Sequence, residues 1–239
     1  MKLLRPPALL VSAVLLAGCS AGDAGRPPTS TEAGAPPSSS AAATSVEPGP
    51  AADEAAAAAA ADPATARTAQ EAALASALRA ADLPAGWSVQ ANPVPDGDLA
   101  DAPSLAGICS GSVPSEARRT AKFPVTGLDA AGTAVLASEA ISYETAADAE
   151  RALSELGAAF ATCPPEDYTF LPGPPTAGLL PDSLAIRYEL SNGVGQVVLA
   201  QVRGAVLSIV IGEEPDTTLA AAQRIADRMA RLPAAVIGA

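Results

Sequence analysis

The chain contains no histidine. That removes the side chain that titrates near neutral pH, the most frequent general base and a principal metal ligand. A Ser-His-Asp or Cys-His nucleophilic site cannot be assembled from it, and a zinc site would need cysteine and carboxylate alone. The residues point away from an enzyme, and they imply no cofactor and no metal. Positive charge is also scarce: 14 Lys and Arg stand against 26 Asp and Glu, a net charge of −12. Such a surface repels phosphate backbones, which excludes nucleic acid as a direct partner. Aromatic residues are 3% of the chain and Trp87 is its single tryptophan, so Trp87 reads as a core anchor, with a ligand platform as the alternative. The apolar run Ala8 to Ala17 is well short of the ~20 residues that a hydrocarbon core requires, which argues against a membrane-spanning helix there.

What that run does resemble is a leader. Lys2 and Arg5 precede it, and the small residues Ala17 and Gly18 close it just before Cys19, the form of a bacterial secretory signal. Leu16-Ala17-Gly18-Cys19 resembles the lipobox of bacterial lipoproteins. The resemblance implies that the Cys19 sulfur receives a diacylglyceryl group, that residues 1–18 are removed, and that Cys19 becomes the mature N-terminus. Its palmitate-type acyl chains would then hold the protein at the extracytoplasmic face of the cell membrane. One chain binds marginally, whereas two or three hold effectively permanently at ~0.8 kcal/mol per buried CH₂. Lys2 and Arg5 leave with the leader, so the mature chain carries a net charge near −14, and attachment must come from the lipid. With Cys19 acylated, Cys109 and Cys163 remain as an even pair in an oxidising compartment, where a disulfide is expected.

From Cys19 to Ala66 the composition is that of a lipidated, disordered tether: Ala, Pro, Ser, Thr and Gly with scattered acids, and Val46 as its one larger apolar residue. Such a stretch buries too little to offset its ordering entropy; as a coil it would span ~35–40 Å. Ala55 to Ala61 favours helix but is stopped by Asp62-Pro63, so a fraying helix without fixed packing is expected. Folded sequence is expected over residues 67–239.

Arg67 to Ala81 spaces Leu74, Leu78 and Ala81 as a first helix, ended by Leu83-Pro84-Ala85-Gly86. A short strand follows at Trp87 to Gln90. Residues 115–122 read as either a short strand or a turn of helix. Thr133 to Tyr143 alternates as a strand. Thr145 to Asp148 then forms a capping box opening a helix to about Ala161, and Pro164-Pro165 stop the chain just beyond Cys163. Tyr168 to Leu171 is a strand. Ser183 to Leu190, Gly195 to Arg203 and Ala205 to Ile211 form an antiparallel meander with Asn192-Gly193 and Arg203-Gly204 at its turns. Pro215 to Leu232 is a closing helix, capped at Asp216 or Thr217, with Leu219, Ala222, Ile225 and Met229 on its buried stripe.

Several patterns suggest chemistry and fall short of it. Asp96, Asp98 and Asp101 are spaced like part of a calcium loop but lack the downstream bidentate Glu. Gly107 to Gly111 fits a cysteine form of the nucleophile elbow, yet no histidine exists to activate Cys109. Glu139 with Glu189, or Glu213 with Glu214, would be the carboxylate pairs of a glycoside hydrolase; no catalytic motif surrounds them. Arg187 and Glu189 read as a cross-strand or solvent pair.

The element order describes an α+β domain: an antiparallel, bent sheet with helices packed on one face. Residues 68–232 also resemble the extracellular sensor domain of PknH-type actinobacterial receptor kinases and the lipoproteins sharing it. The shared residues are Leu83 to Trp87, Cys109, Ser138-Glu139, Tyr143 and Cys163-Pro164. A composition rich in Ala, Pro and Gly, with lysine only at positions 2 and 122, fits such a high-GC source. The resemblance implies a bent sheet with a ligand cleft. The family's kinase receptor has two disulfides where this chain has cysteines for one, and no ligand-binding residue carries over. The expected function is an anchored ligand-binding or sensory module of the cell envelope. The alternatives are a lipid or glycolipid carrier, which needs a closed apolar cavity, and an envelope scaffold without a small ligand.

Overall fold

A computed structural model describes residues 50–92, 101–104 and 108–239. Cys19, the leader, residues 20–49, the carboxylates Asp96 and Asp98, and Gly107 lie outside the described residues. Seven strands form one antiparallel sheet in the order β1-β2-β3-β7-β6-β5-β4. They are β1 (Ser88–Ala91), β2 (Arg119–Leu128), β3 (Ala134–Tyr143), β4 (Tyr168–Leu171), β5 (Ser183–Leu190), β6 (Gly195–Arg203) and β7 (Val206–Gly212). The helices are α1 (Pro50–Ala60), α2 (Ala69–Ser76), α3 (Ala146–Phe160), α4 (Pro215–Met229) and the short α5 (Ala234–Ile237). This is the expected α+β class.

The helices do not share one face of the sheet. Residues of one parity, Ala140 on β3, Val197 and Leu199 on β6 and Val206 and Val210 on β7, pack under α2 and α4. Their neighbours of opposite parity, Ile141, Val198, Ala200, Leu207 and Ile209, pack under α3. Successive strand residues point to opposite faces, so a core strand between two helical layers is buried on both, and the polar Gln201 is held there by donating to the Ala222 carbonyl at 2.9 Å. On β6, Val197 to Val202 are all buried, and the absence of alternation there is the signature of a strand covered twice.

The folded region also begins before Arg67. Ala58 is 2% exposed, and Ala66 belongs to the same core as α2. The Ala55–Ala61 stretch therefore packs, correcting the expectation of an unpacked helix: methyl side chains allow a helix to lie close against Ala91 and the first strand. Asp62 Oδ1 accepts from the Ala64 amide at 3.1 Å and caps the turn at Pro63–Thr65.

The first helix is shorter than its apolar spacing predicts. Thr68 caps it by accepting from the Glu71 amide at 3.1 Å, but it stops at Ser76, and a separate 3-10 turn follows at Ala80–Asp82. Residues 115–122 hold both readings in succession, a 3-10 turn at Pro114–Arg118 and then the ten-residue β2. Proline is tolerated within β2 because Pro124 faces β1 just past its last paired residue; Ala91 pairs with Val125, and the Pro124 carbonyl accepts from Asn92 at 2.8 Å. Register shifts at both ends of β2 are bulges that increase local twist.

At the other side of the sheet the turns match the sequence. Gly193 has φ +84° and its amide meets the Leu190 carbonyl at 2.8 Å. Gly204, φ +55°, lies against Ile237 with no room for a Cβ. The closing helix has Glu214, not Asp216 or Thr217, at its N-cap position, with no side-chain capping bond and Pro215 in its first turn. Arg203 reaches from β6 to the carbonyls of Met229 and Leu232 and closes its far end.

Candidate functional site

α3 lies over the middle of the sheet, and its two flanks differ. Thr145 starts the helix by accepting from the Asp148 amide at 3.2 Å while its hydroxyl donates to the Asp148 carboxylate at 2.5 Å. The stripe Ala149, Ala152, Leu156 and Phe160 is buried against β6 and β7.

The flank over β2 and β3 is filled by residues 101–104 and 113–118, held by a polar cluster. The Lys122 side chain is 1% exposed; its Nζ donates to the Ala102 carbonyl at 2.6 Å and lies 3.4 Å from Glu139 Oε1. Arg119 donates to the carbonyls of Ala102 (2.8 Å) and Asp101 (3.2 Å). Glu116 gathers three donors: Arg119 at 3.0 Å, the Ser104 amide at 3.1 Å and the Tyr143 hydroxyl at 3.2 Å. Burial pushes the Glu139 carboxyl above its ordinary range against the pull of Lys122. It likewise pushes the Tyr143 hydroxyl up, aided by the Glu116 charge. The residual cavity beside Tyr143 and Leu156 is about 10 Å³, so the cluster works as a latch. It contains Glu139 and Tyr143, two of the residues singled out in the sequence. Lys122, Arg119 and Glu116 were missed, because the segment carrying them mixes charge and apolar residues without a clear period.

The flank over β4 and β5 is an open groove. Two cavities of about 440 Å³ each lie along α3 and meet where they share Gly157 and Leu184. One is aromatic and aliphatic, lined among others by Phe160, Tyr168, Phe170 and Ile186. The other carries Glu150, Ser154 and Asp182. Phe160, Tyr168, Phe170 and Tyr188 form one aromatic group with ring centroids 5.3–6.5 Å apart, the spacing of offset and tilted pairs. Phe170 is 47% exposed, an apolar ring turned to solvent on an edge strand. Gly157 lies in the last turn of α3, and inside a helix glycine costs about 1 kcal/mol relative to alanine. A Cβ there would stand 3.7 Å from Leu184, so its absence widens the groove at its waist.

The disulfide borders this groove. Cys109 and Cys163 are joined, with Cα atoms 4.5 Å apart, and Cys163 lines the aromatic cavity. The Thr162 hydroxyl donates to the Cys109 carbonyl at 3.2 Å, and Gly111 leaves no room for a Cβ against Ala159. The sequence pairing therefore falls where expected, tying the end of α3 to the Cys109 turn.

The carboxylate pairs do not form a site. Glu139 and Glu189 lie on β3 and β5, separated by β7 and β6 and facing opposite sides of the sheet. Glu214 is the helix cap, and its carbonyl accepts from the Thr218 hydroxyl at 2.7 Å. Among the described residues, no group of three or more His, Cys, Asp or Glu is placed to hold a metal, and no helix is long and apolar enough to cross a membrane.

No protein-family model matches the sequence, and no curated protein matches it. Among solved structures, the chain is similar to the extracellular domain of PknH from Mycobacterium tuberculosis at 12% identity. That match covers 47% of this chain and 66% of that chain, with a TM-score of 0.38.

Proposed function

We propose that the protein is a lipid-anchored, extracytoplasmic binding module of the cell envelope whose groove along α3 takes a ligand with an apolar part. The observation that carries this reading is the asymmetry of α3: one flank is sealed by the Lys122–Glu139 latch, while the other opens as a groove with the Phe170 ring facing solvent. Convergent polar groups at one end of an apolar groove are the common form of a ligand site. An open groove favours a binding or sensory role over a carrier, which would enclose its cargo. The histidine-free sequence and the separated carboxylates support recognition without catalysis.

The neutral dye Nile red tests the groove. Saturable fluorescence enhancement is expected, weakened at least tenfold by Gly157→Met, which places a side chain across the waist. A response that Gly157→Met leaves unchanged overturns the assignment. Anchoring is tested separately: Cys19→Ser should release the product into the medium or leave the precursor uncut, and unaltered processing and distribution overturn it.

A further inference from the structure

We infer that the groove selects an extended amphiphile with a cationic head, the chain lying against Tyr168 and Phe170 and the head between Glu150 and Asp182. This rests on the groove being a ligand site and goes further by naming the chemistry it takes.

The two ends differ in kind. At the aromatic end, Phe160, Tyr168, Phe170 and Ile186 offer no charge. At the other end stand two carboxylates, Glu150 and Asp182, both exposed, and neither makes an ion pair or side-chain hydrogen bond among the described residues. The adjacent acid Asp148 is already taken, by the Thr145 hydroxyl and by Arg151 at 3.8 Å. Among the described residues no lysine or arginine lines either cavity, so an anionic head would meet two uncompensated negative charges on a chain of net charge −12. From Glu150 to Ala161 the helix advances about 16 Å at 1.5 Å per residue, close to the reach of an extended dodecyl chain. Length, apolar lining and charge thus fit one occupant: a single alkyl chain with an ammonium-type head.

Three amphiphiles sharing a dodecyl chain, each below its micelle concentration, provide the test: dodecyltrimethylammonium, dodecyl maltoside and dodecanoate. Binding to the disulfide-intact protein is measured by calorimetry and by amide shifts of residues 150–161 and 168–186. The expected order is cationic, neutral, anionic, with about tenfold between first and last, as two partly screened charge contacts provide. Glu150→Gln with Asp182→Asn should bring the three affinities together. Equal affinities in the wild-type protein, or an order that the double variant does not alter, overturn the charge selection and leave the groove standing. If neither Nile red nor any of the three amphiphiles binds, the groove itself is overturned.

Discussion

Arg228 on α4 grips the carboxylate of Asp82 with both terminal guanidinium nitrogens, Nη2 at 2.7 Å from Oδ2 and Nη1 on Oδ1. Their side chains are 8% and 4% exposed. The same guanidinium donates to the carbonyls of Ala75 (3.2 Å) and Ala77 (2.9 Å), while the Arg79 amide donates to Asp82 at 2.9 Å. These bonds satisfy carbonyls left open where the first helix ends at Ser76. Asp82→Ala would strand a buried charge, with an expected cost of about 3–5 kcal/mol. Asp82→Leu with Arg228→Met should cost much less. Urea denaturation of the three proteins checks this, and equal losses would contradict the pairing.

The Cys109–Cys163 disulfide closes a separation of 54 residues, for which the chain-entropy relation gives about 4 kcal/mol. Cys109→Ser with Cys163→Ser is expected to lower stability by roughly that amount. The variant should also weaken Nile red binding, because Cys163 borders the aromatic cavity. Lost stability with unaltered dye affinity would separate the bond from the site.

Glu139 provides a pH dependence whose sign follows from its environment. Burial raises its folded pKa above the ordinary 4.5, and Lys122 opposes the rise. A carboxyl with a raised folded pKa contributes most to stability below its ordinary value and loses that contribution as pH climbs through the raised one. Lys122→Met removes the opposing charge, so the carboxyl titrates at still higher pH. Carbon-13 NMR of the carboxyl should follow this upward shift. The variant's stability should decline more steeply than that of the parent as pH rises above 4.5; a downward or absent shift would refute the arrangement.

Phe170 is 47% exposed and lines the aromatic cavity, its ring centroid 6.5 Å from that of Tyr168 and 6.1 Å from that of Tyr188. Phe170→Ser is expected to cost about 1 kcal/mol of stability through its lost ring pairs, while weakening Nile red binding. Ile225→Ala, fully buried on α4, should cost about 2–5 kcal/mol and leave dye affinity unaltered in the folded protein. The reverse pattern would place the ligand elsewhere.

Much of the fold was legible because its elements announce themselves locally. Thr145 and Asp148 mark the start of α3, Asn192-Gly193 marks a hairpin, and alternation marks β3 and β5. Three features were not legible, each for a tertiary reason. Ala58 is indistinguishable from linker alanine until another element covers it. The division of helices between two faces depends on which parity of β6 and β7 each helix meets. The groove is assembled from α3, β4 and β5, segments that come together only in the folded sheet, and its one local sign was a glycine inside an alanine-rich helix. The disulfide was readable from cysteine parity, whereas the Lys122–Glu139 latch joins strands whose pairing no periodicity revealed.

Native mass spectrometry of the full protein, extracted gently from its own membrane, tests the account most directly. The predicted spectrum shows loss of residues 1–18, a diacylglyceryl addition on Cys19, an oxidised Cys109–Cys163 pair and a small molecule with an apolar part that co-purifies. The same molecule should be missing from the Gly157→Met variant. A chain that retains its first 18 residues without lipid, and carries no molecule that Gly157→Met removes, would contradict both the anchor and the groove.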